Sequence, residues 1–231
     1  MNDVFGYIDE NLKEIQYNIA ETAAKYRDPE DQIRLMAVTK TVSPEAVNHA
    51  VSLGVELLGE NRVQEYQSKK DLYNKSAEVQ FIGHLQTNKV KYIIDSVSMI
   101  QSVDSLKLAL EINRLAKNCG RVMDVLCEVN IGGEESKSGV SPDRLEDLIL
   151  DISELENIRV KGLMTIPPPA DSDIHLGKMQ ELFMNMKSKN ISKVKMDILS
   201  MGMTHDYADA VKYGSTLVRI GTGLFGARIY K

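Results

Sequence analysis

Lys40 closes the run Leu35-Met-Ala-Val-Thr-Lys40, and Ser43-Pro44-Glu45 follows at once. Four consecutive apolar residues, Leu35 to Val38, predict a strand buried on both faces, as in a parallel sheet. The Ser-Pro-Glu triplet predicts a helix start: Ser43 as N-cap, Pro44 at the first helical position, Glu45 against the helix dipole. Lys40 then lies where a buried strand ends and a helix begins, which is where α/β folds bind ligands. Partial desolvation there favours the neutral amine, a good nucleophile toward carbonyls. The plainer alternative is a lysine that snorkels from the strand end into water.

Two further stretches pair glycine with a hydroxyl: Ser200-Met201-Gly202-Met203 and Gly221-Thr222-Gly223. Glycine lets backbone N–H groups approach an anion closely, and Ser200 and Thr222 add hydroxyl donors. Either alone reads equally as an ordinary turn. Arg219 lies inside the apolar run Leu217-Val-Arg-Ile220, so it needs an acceptor. A ligand atom is one solution, and a salt bridge to Asp197 or Glu128 is the other.

The elements that must position these residues alternate along the chain. Phe5, Ile8, Leu12, Ile15 and Ile19 recur at helical spacing and predict a first helix over Asp3–Tyr26. Strands are then predicted at 35–38, 55–58, 79–82, 98–100, 122–129, 160–164, 196–199 and 217–220, the fifth being the longest. Helices are predicted between them, near 43–53, 62–72, 88–94, 104–117, 141–155, 174–187 and 204–213. Parallel neighbours need helical crossovers, so the class is α/β, and eight such units fit a single (β/α)8 barrel with an extra N-terminal helix. An open doubly wound sheet is the alternative. In such a barrel phosphate binds at the loops after strands seven and eight, which are the two glycine stretches. Strands one and eight are neighbours in a closed barrel. A lysine, a phosphate cradle and an arginine at one mouth suit a ring bearing an aldehyde and a phosphate, namely pyridoxal 5′-phosphate (PLP). Lys40 would form the Schiff base and Arg219 would face the pyridine nitrogen.

Composition sets the remaining limits. The chain has 231 residues, 43% hydrophobic and 26% charged, enough for one sizeable core. A net charge of -5 argues against a general nucleic-acid binder. Cys119 and Cys127 have no metal or redox spacing, and no signal peptide or membrane-length apolar run is visible. The expected location is the cytoplasm, with no membrane and no nucleic-acid partner.

Nearly end to end, the chain also resembles the YggS/PROSC (YlmE-like) family of pyridoxal phosphate homeostasis proteins. The residues that carry this are Ala37-Val-Thr-Lys40, Leu58-Gly-Glu-Asn61 with Gln64-Glu65, Phe81-Ile-Gly-His-Leu-Gln86 with Asn88-Lys89, and Glu128-Val-Asn130. Ser136-Lys-Ser-Gly139, Gly162-Leu-Met164, Leu199-Ser-Met-Gly-Met203 and Val218-Arg-Ile-Gly-Thr222 with Phe225-Gly226 complete the match. Position 58 is Leu where the family often has Phe. The resemblance implies a PLP fold-type III barrel, similar to the N-terminal domain of alanine racemase, over residues 1–231. It implies that Lys40 carries the cofactor, that Ser200, Met201, Gly202, Gly221 and Thr222 surround the phosphate, and that Arg219 meets the ring nitrogen. Asn61 and His84 would be pocket-wall residues.

A cation opposite the pyridine nitrogen makes the ring a poor electron sink. Alanine racemase draws its opposing base, a tyrosine, from a C-terminal β-domain of the partner subunit, and the sequence here runs only about ten residues past the last strand. His84, Tyr207 and Tyr213 are available for the role, with nothing in the sequence to support any of them. The expectation is a PLP-binding protein, a monomer, that buffers or delivers the cofactor to PLP-dependent apo-enzymes with little or no catalysis. A racemase-like amino-acid enzyme and a sugar-phosphate barrel enzyme are the competing readings.

Overall fold

The computed structural model describes residues 4–134 and 136–227. Its frame is a closed barrel of eight parallel strands in chain order: β1 (Arg34–Val38), β2 (Leu57–Glu60), β3 (Glu78–Phe81), β4 (Met99–Val103), β5 (Met123–Val129), β6 (Ile158–Thr165), β7 (Ile198–Ser200) and β8 (Leu217–Ile220). β1 pairs with β2 on one side and with β8 on the other, Met36 facing Arg219 across the seam. The open doubly wound alternative is thereby set aside.

Strand parity divides the side chains. Met36, Val38, Leu57, Ile82 and Leu217 meet inside the barrel, as do Met99, Leu126 and Met164. Their neighbours along the strands, including Ala37, Leu58, Phe81, Cys127 and Val218, pack outward into the main core under the helices. Those helices are α1 (Gly6–Tyr26), α2 (Pro44–Ser52), α3 (Val63–Lys69), α4 (Leu106–Asn118), α5 (Leu145–Ser153), α6 (Ser172–Ser188), α7 (Tyr207–Lys212) and the single turn α8 (Thr222–Phe225).

Ser43 caps α2 as its sequence predicts, its hydroxyl accepting from the Ala46 amide at 3.4 Å. α1 buries Ile8, Leu12, Ile15 and Ile19, while Phe5 stands before the helix as its cap. The predicted start at Asp3 lies outside the described residues. α1 is fastened to the far end of the chain: Asn11 donates to the Leu224 carbonyl at 3.0 Å and Asn18 to the Tyr207 hydroxyl at 2.9 Å.

Several predicted boundaries move. β2 begins at Leu57, because Val55 donates back to Ala50 and closes the end of α2 while Gly59 and Glu60 join the ladder. β4 continues through the polar pair Gln101-Ser102, both wholly buried. The stretch expected as a helix near 88–94 is a 3-10 helix, Thr87–Tyr92, and Ser141-Pro142 opens only a 3-10 turn before α5. β6, with 8 residues, exceeds the 7 of β5.

The extra length of β6 comes with a register shift opposite Val125 and Leu126, and Gly162 stands there at φ +149. A Cβ on Gly162 would lie 1.8 Å from the Ile198 carbonyl oxygen, so only glycine lets β7 close against β6. Gly162→Ala is expected to destabilise the barrel by at least about 2 kcal/mol. Gly54→Ala, at φ +100 but in open space, should cost only about 1 kcal/mol. Urea midpoints of the two variants, compared side by side, check this.

Candidate functional site

Lys40 stands two residues beyond the inward-facing Val38, at the C-terminal mouth of the barrel. The backbone on both sides of it is anchored. Lys69 donates to the Thr39 carbonyl at 3.3 Å, and Glu65 accepts from both the Thr41 amide and Lys69. Thr39, wholly buried, donates to Glu60 at 2.7 Å, and Glu60 also accepts from the Tyr73 hydroxyl. Burial would raise the Glu65 carboxyl, but its hydrogen bonds to Lys69 and Thr41 outweigh that and hold it below the usual range. Thr41 sits at φ +64, an unfavourable region for a β-branched residue. The strain is of the kind that accumulates where surrounding structure fixes a functional backbone.

Arg219 fills the barrel centre, only 3% exposed. One guanidinium nitrogen, Nη1, donates to Ser200 Oγ at 2.6 Å and the other, Nη2, to the Thr165 carbonyl at 2.7 Å. Ser200 passes the chain on, donating to Gln101 at 2.7 Å, and Gln101 donates to Gln80 at 2.6 Å. This polar line crosses the barrel from β8 through β7 and β4 to β3. Burial pulls the guanidinium down to about 10, against the opposing attraction of Glu128 and Asp206. Asp197, one acceptor the sequence offered, is turned away: it precedes the inward pair Ile198 and Ser200 and binds Lys161 at 3.0 Å.

The glycine loops lie beside this centre. Gly202, at φ +93, has no room for a side chain, since a Cβ would come 2.5 Å from that of Ala210. Its carbonyl accepts from the Arg219 amide at 3.0 Å, so the arginine backbone and the first loop are one unit. The Met201 side chain packs into the outer core, which leaves only its backbone toward the mouth. The second loop starts at Gly221, packed on Val38 of β1, and continues into α8 with Thr222 exposed. The Gly223 amide donates to Thr204 at 3.0 Å, joining the two loops. The Ser200 hydroxyl, by contrast, points into the barrel interior.

Asn61, after β2, keeps a buried side-chain oxygen that has no hydrogen-bond partner. Gly83 packs directly on the Asn61 backbone, where a Cβ would meet its carbonyl at 2.1 Å. The next residue, His84, is at the exposed rim with its ring nitrogen 3.1 Å from Ser138 Oγ and 3.8 Å from Asp104. Tyr207 and Tyr213 are engaged elsewhere, with Asn18 and Asp173. The residue the sequence reading undervalued is Glu128. It follows the inward Leu126 by two positions, is 7% exposed, and has one carboxyl oxygen without a partner. Burial, then the charge of Asp104, push it up to about 7, with Arg219 opposing. A carboxylate at the end of the longest predicted strand, on the parity of its inward residues, was the available signal.

The same architecture exists elsewhere. Residues 11–229 match the alanine racemase N-terminal domain family, so the chain is a barrel of that class. Within it, the chain belongs to the family of pyridoxal phosphate homeostasis proteins: it is 42% identical over 226 residues to the one from Aquifex aeolicus, covering 96% of this chain and 98% of that relative. A crystal structure described as that of an unknown protein from Bifidobacterium adolescentis superimposes with a TM-score of 0.91 at 31% identity, over 97% of each chain. PipY of Synechococcus elongatus, solved with PLP bound, does so at 0.75 and 29% identity, over 90% of this chain and 100% of its own.

Two expectations follow for the barrel centre. Ser200→Ala removes a partner from both Arg219 and Gln101, and urea unfolding should show a loss of about 1–3 kcal/mol. Glu128 is raised from an ordinary value near 4.5 to about 7, so the folded state binds more protons than the unfolded one between those values. Its penalty is absent below about pH 4.5 and complete above pH 7. The stability of Glu128→Gln relative to wild type should therefore rise by up to about 3 kcal/mol between pH 4 and pH 8, measured as chemical unfolding across that range.

Proposed function

We propose that this protein binds PLP at the C-terminal mouth of the barrel, holds it through Lys40, and serves PLP homeostasis by buffering the cofactor and delivering it to apo-enzymes. The observation that carries the reading is the buried Arg219 guanidinium, set between the strand that leads to Lys40 and the glycine loops. The residues fit the group. Asn61 has a buried acceptor without a partner, the loops of Gly202 and Gly221 bring backbone to the mouth, and Thr222 adds an exposed hydroxyl. PLP brings an aldehyde that condenses with an amine, releasing water, and a ring that can draw electrons.

Each residue then has a part in binding. The Lys40 amine bonds the aldehyde carbon, positioned by the anchors on Thr39 and Thr41. Backbone of the two glycine loops, with Thr222, holds the phosphate. Arg219 has only donors, so it can donate to a neutral ring nitrogen, and its positive charge opposes a proton at that atom. That restrains electron withdrawal by the ring and favours holding over turnover. Asn61 and His84 line the wall, and Ser200 acts inside the barrel by fixing Arg219.

The relatives named for PLP homeostasis and the PLP-bound PipY support the reading. The proposed state is a monomer in the cytoplasm. In support of that compartment, Cys119 and Cys127 are free thiols, and no helix of the described residues is long and apolar enough to cross a membrane.

Purified wild type given PLP should show a visible absorption band that borohydride abolishes, with the reduced cofactor found by mass spectrometry on the peptide containing Lys40. Lys40→Ala should lose both signals, and Thr222→Ala should weaken binding by about tenfold. Borohydride labelling that persists undiminished at another lysine in Lys40→Ala would overturn the assignment.

A further inference from the structure

Glu128 has no part in the binding scheme above, yet its position is unusual. Its side chain follows Leu126 on the inner parity of β5, its strand neighbour across the β6 ladder is the apolar Met164, and one carboxyl oxygen is buried with no partner. The charged groups that act on it are Asp104, from the loop after β4, and Arg219, from β8. Behind them stand His84, 3.8 Å from Asp104, and Asp206, which acts on Arg219. β6 contributes no titratable group beside it. Glu128 and Arg219 thus both turn into the barrel and act on one another by charge without forming a direct ion pair at 4 Å or less among the described residues, and the second carboxylate, Asp104, repels Glu128.

We propose that Glu128 is a proton-accepting residue of the ligand chamber: it takes up a proton when the anionic cofactor enters, so that retention of PLP weakens as pH rises through neutrality. The inference rests on the PLP-binding reading given above. The physical reasons are two. A bound ring covers the little exposure that Glu128 keeps, 7%, and a phosphate-bearing ligand adds negative charge to a mouth that already holds Glu128 and Asp104. Both disfavour the carboxylate and favour the neutral acid, which also gains an O–H donor to offer the ligand. The unliganded group already titrates near 7, so any upward movement falls in the range a cell experiences. Linkage then fixes the sign: affinity is highest where Glu128 is protonated in both states, and falls between its unliganded and liganded values.

The test compares wild type with Glu128→Gln, which keeps the shape of the neutral acid. PLP dissociation constants are measured by the visible band from pH 6 to pH 8.5. Ionisation of the Lys40 amine and of the phosphate affects both proteins alike, so the ratio of constants isolates position 128. The expected result is near-equal binding at pH 6 and wild type weaker by about tenfold or more at pH 8.5. A second measurement counts protons directly. Calorimetry with pyridoxine 5′-phosphate, which has no aldehyde, is run on wild type and Glu128→Gln at pH 7.5 in two buffers of different ionisation enthalpy, so that protons exchanged by the ring nitrogen and the phosphate cancel in the difference. Wild type is expected to take up more protons on binding than Glu128→Gln. A ratio independent of pH, or equal proton uptake by the two proteins, overturns the inference while leaving PLP binding intact. Absence of any borohydride-fixed adduct in wild type is the separate failure of the binding reading itself.

Discussion

A guanidinium sealed inside a closed barrel constrains everything around it. Arg219 has five N–H donors and no acceptor, and at 3% exposure water cannot satisfy them. The barrel answers with Ser200 Oγ and the Thr165 carbonyl, then orders Gln101 and Gln80 behind Ser200. A buried cation is tolerable only with such partners, and removing one leaves others stranded. The polar line therefore specifies one arrangement of β3, β4, β7 and β8, where apolar side chains would allow several. The same charge gives the mouth its character: it draws on Glu128, and Glu128 and Asp206 act on it in return.

Much of the fold was legible because the chain is locally consistent. Alternating apolar runs and capped helix starts give the eight units, and the buried strands read as near-continuous hydrophobic segments, as two-sided burial requires. Where boundaries shifted, tertiary contacts decided. Val55 is apolar but serves the end of α2, and Gln101 and Ser102 are polar but buried, since their partners come from other strands. No single-strand pattern encodes a glutamine whose acceptor is 21 residues away on the neighbouring strand.

The site was legible to a similar extent and for a similar reason. Lys40, the glycine loops and Arg219 announce themselves by sequence type and by place at strand ends, and the structure brings their segments to one mouth. What escaped are relations. Ser200 reads as a loop hydroxyl yet is turned inward to Arg219, and Glu65 and Lys69 hold the backbone around Lys40 from a separate helix. Glu128 reads as a salt-bridge partner, and only the three-dimensional arrangement shows a carboxyl facing Arg219 without meeting it.

The seam where β1 meets β8 has a consequence for how the molecule is made. Lys40 leaves the first strand, while Arg219 and the second glycine loop belong to the last, and Gly221 packs on Val38. α1 is held in turn by Leu224 and Tyr207. Lys40, Arg219 and the second glycine loop thus straddle the contact of greatest sequence separation, which is the last to become available during synthesis. A growing chain on the ribosome carries Lys40 for most of its translation before β8 is there to pair with β1. A ligand held at the proposed site would consequently be acquired only after translation, once the barrel has closed.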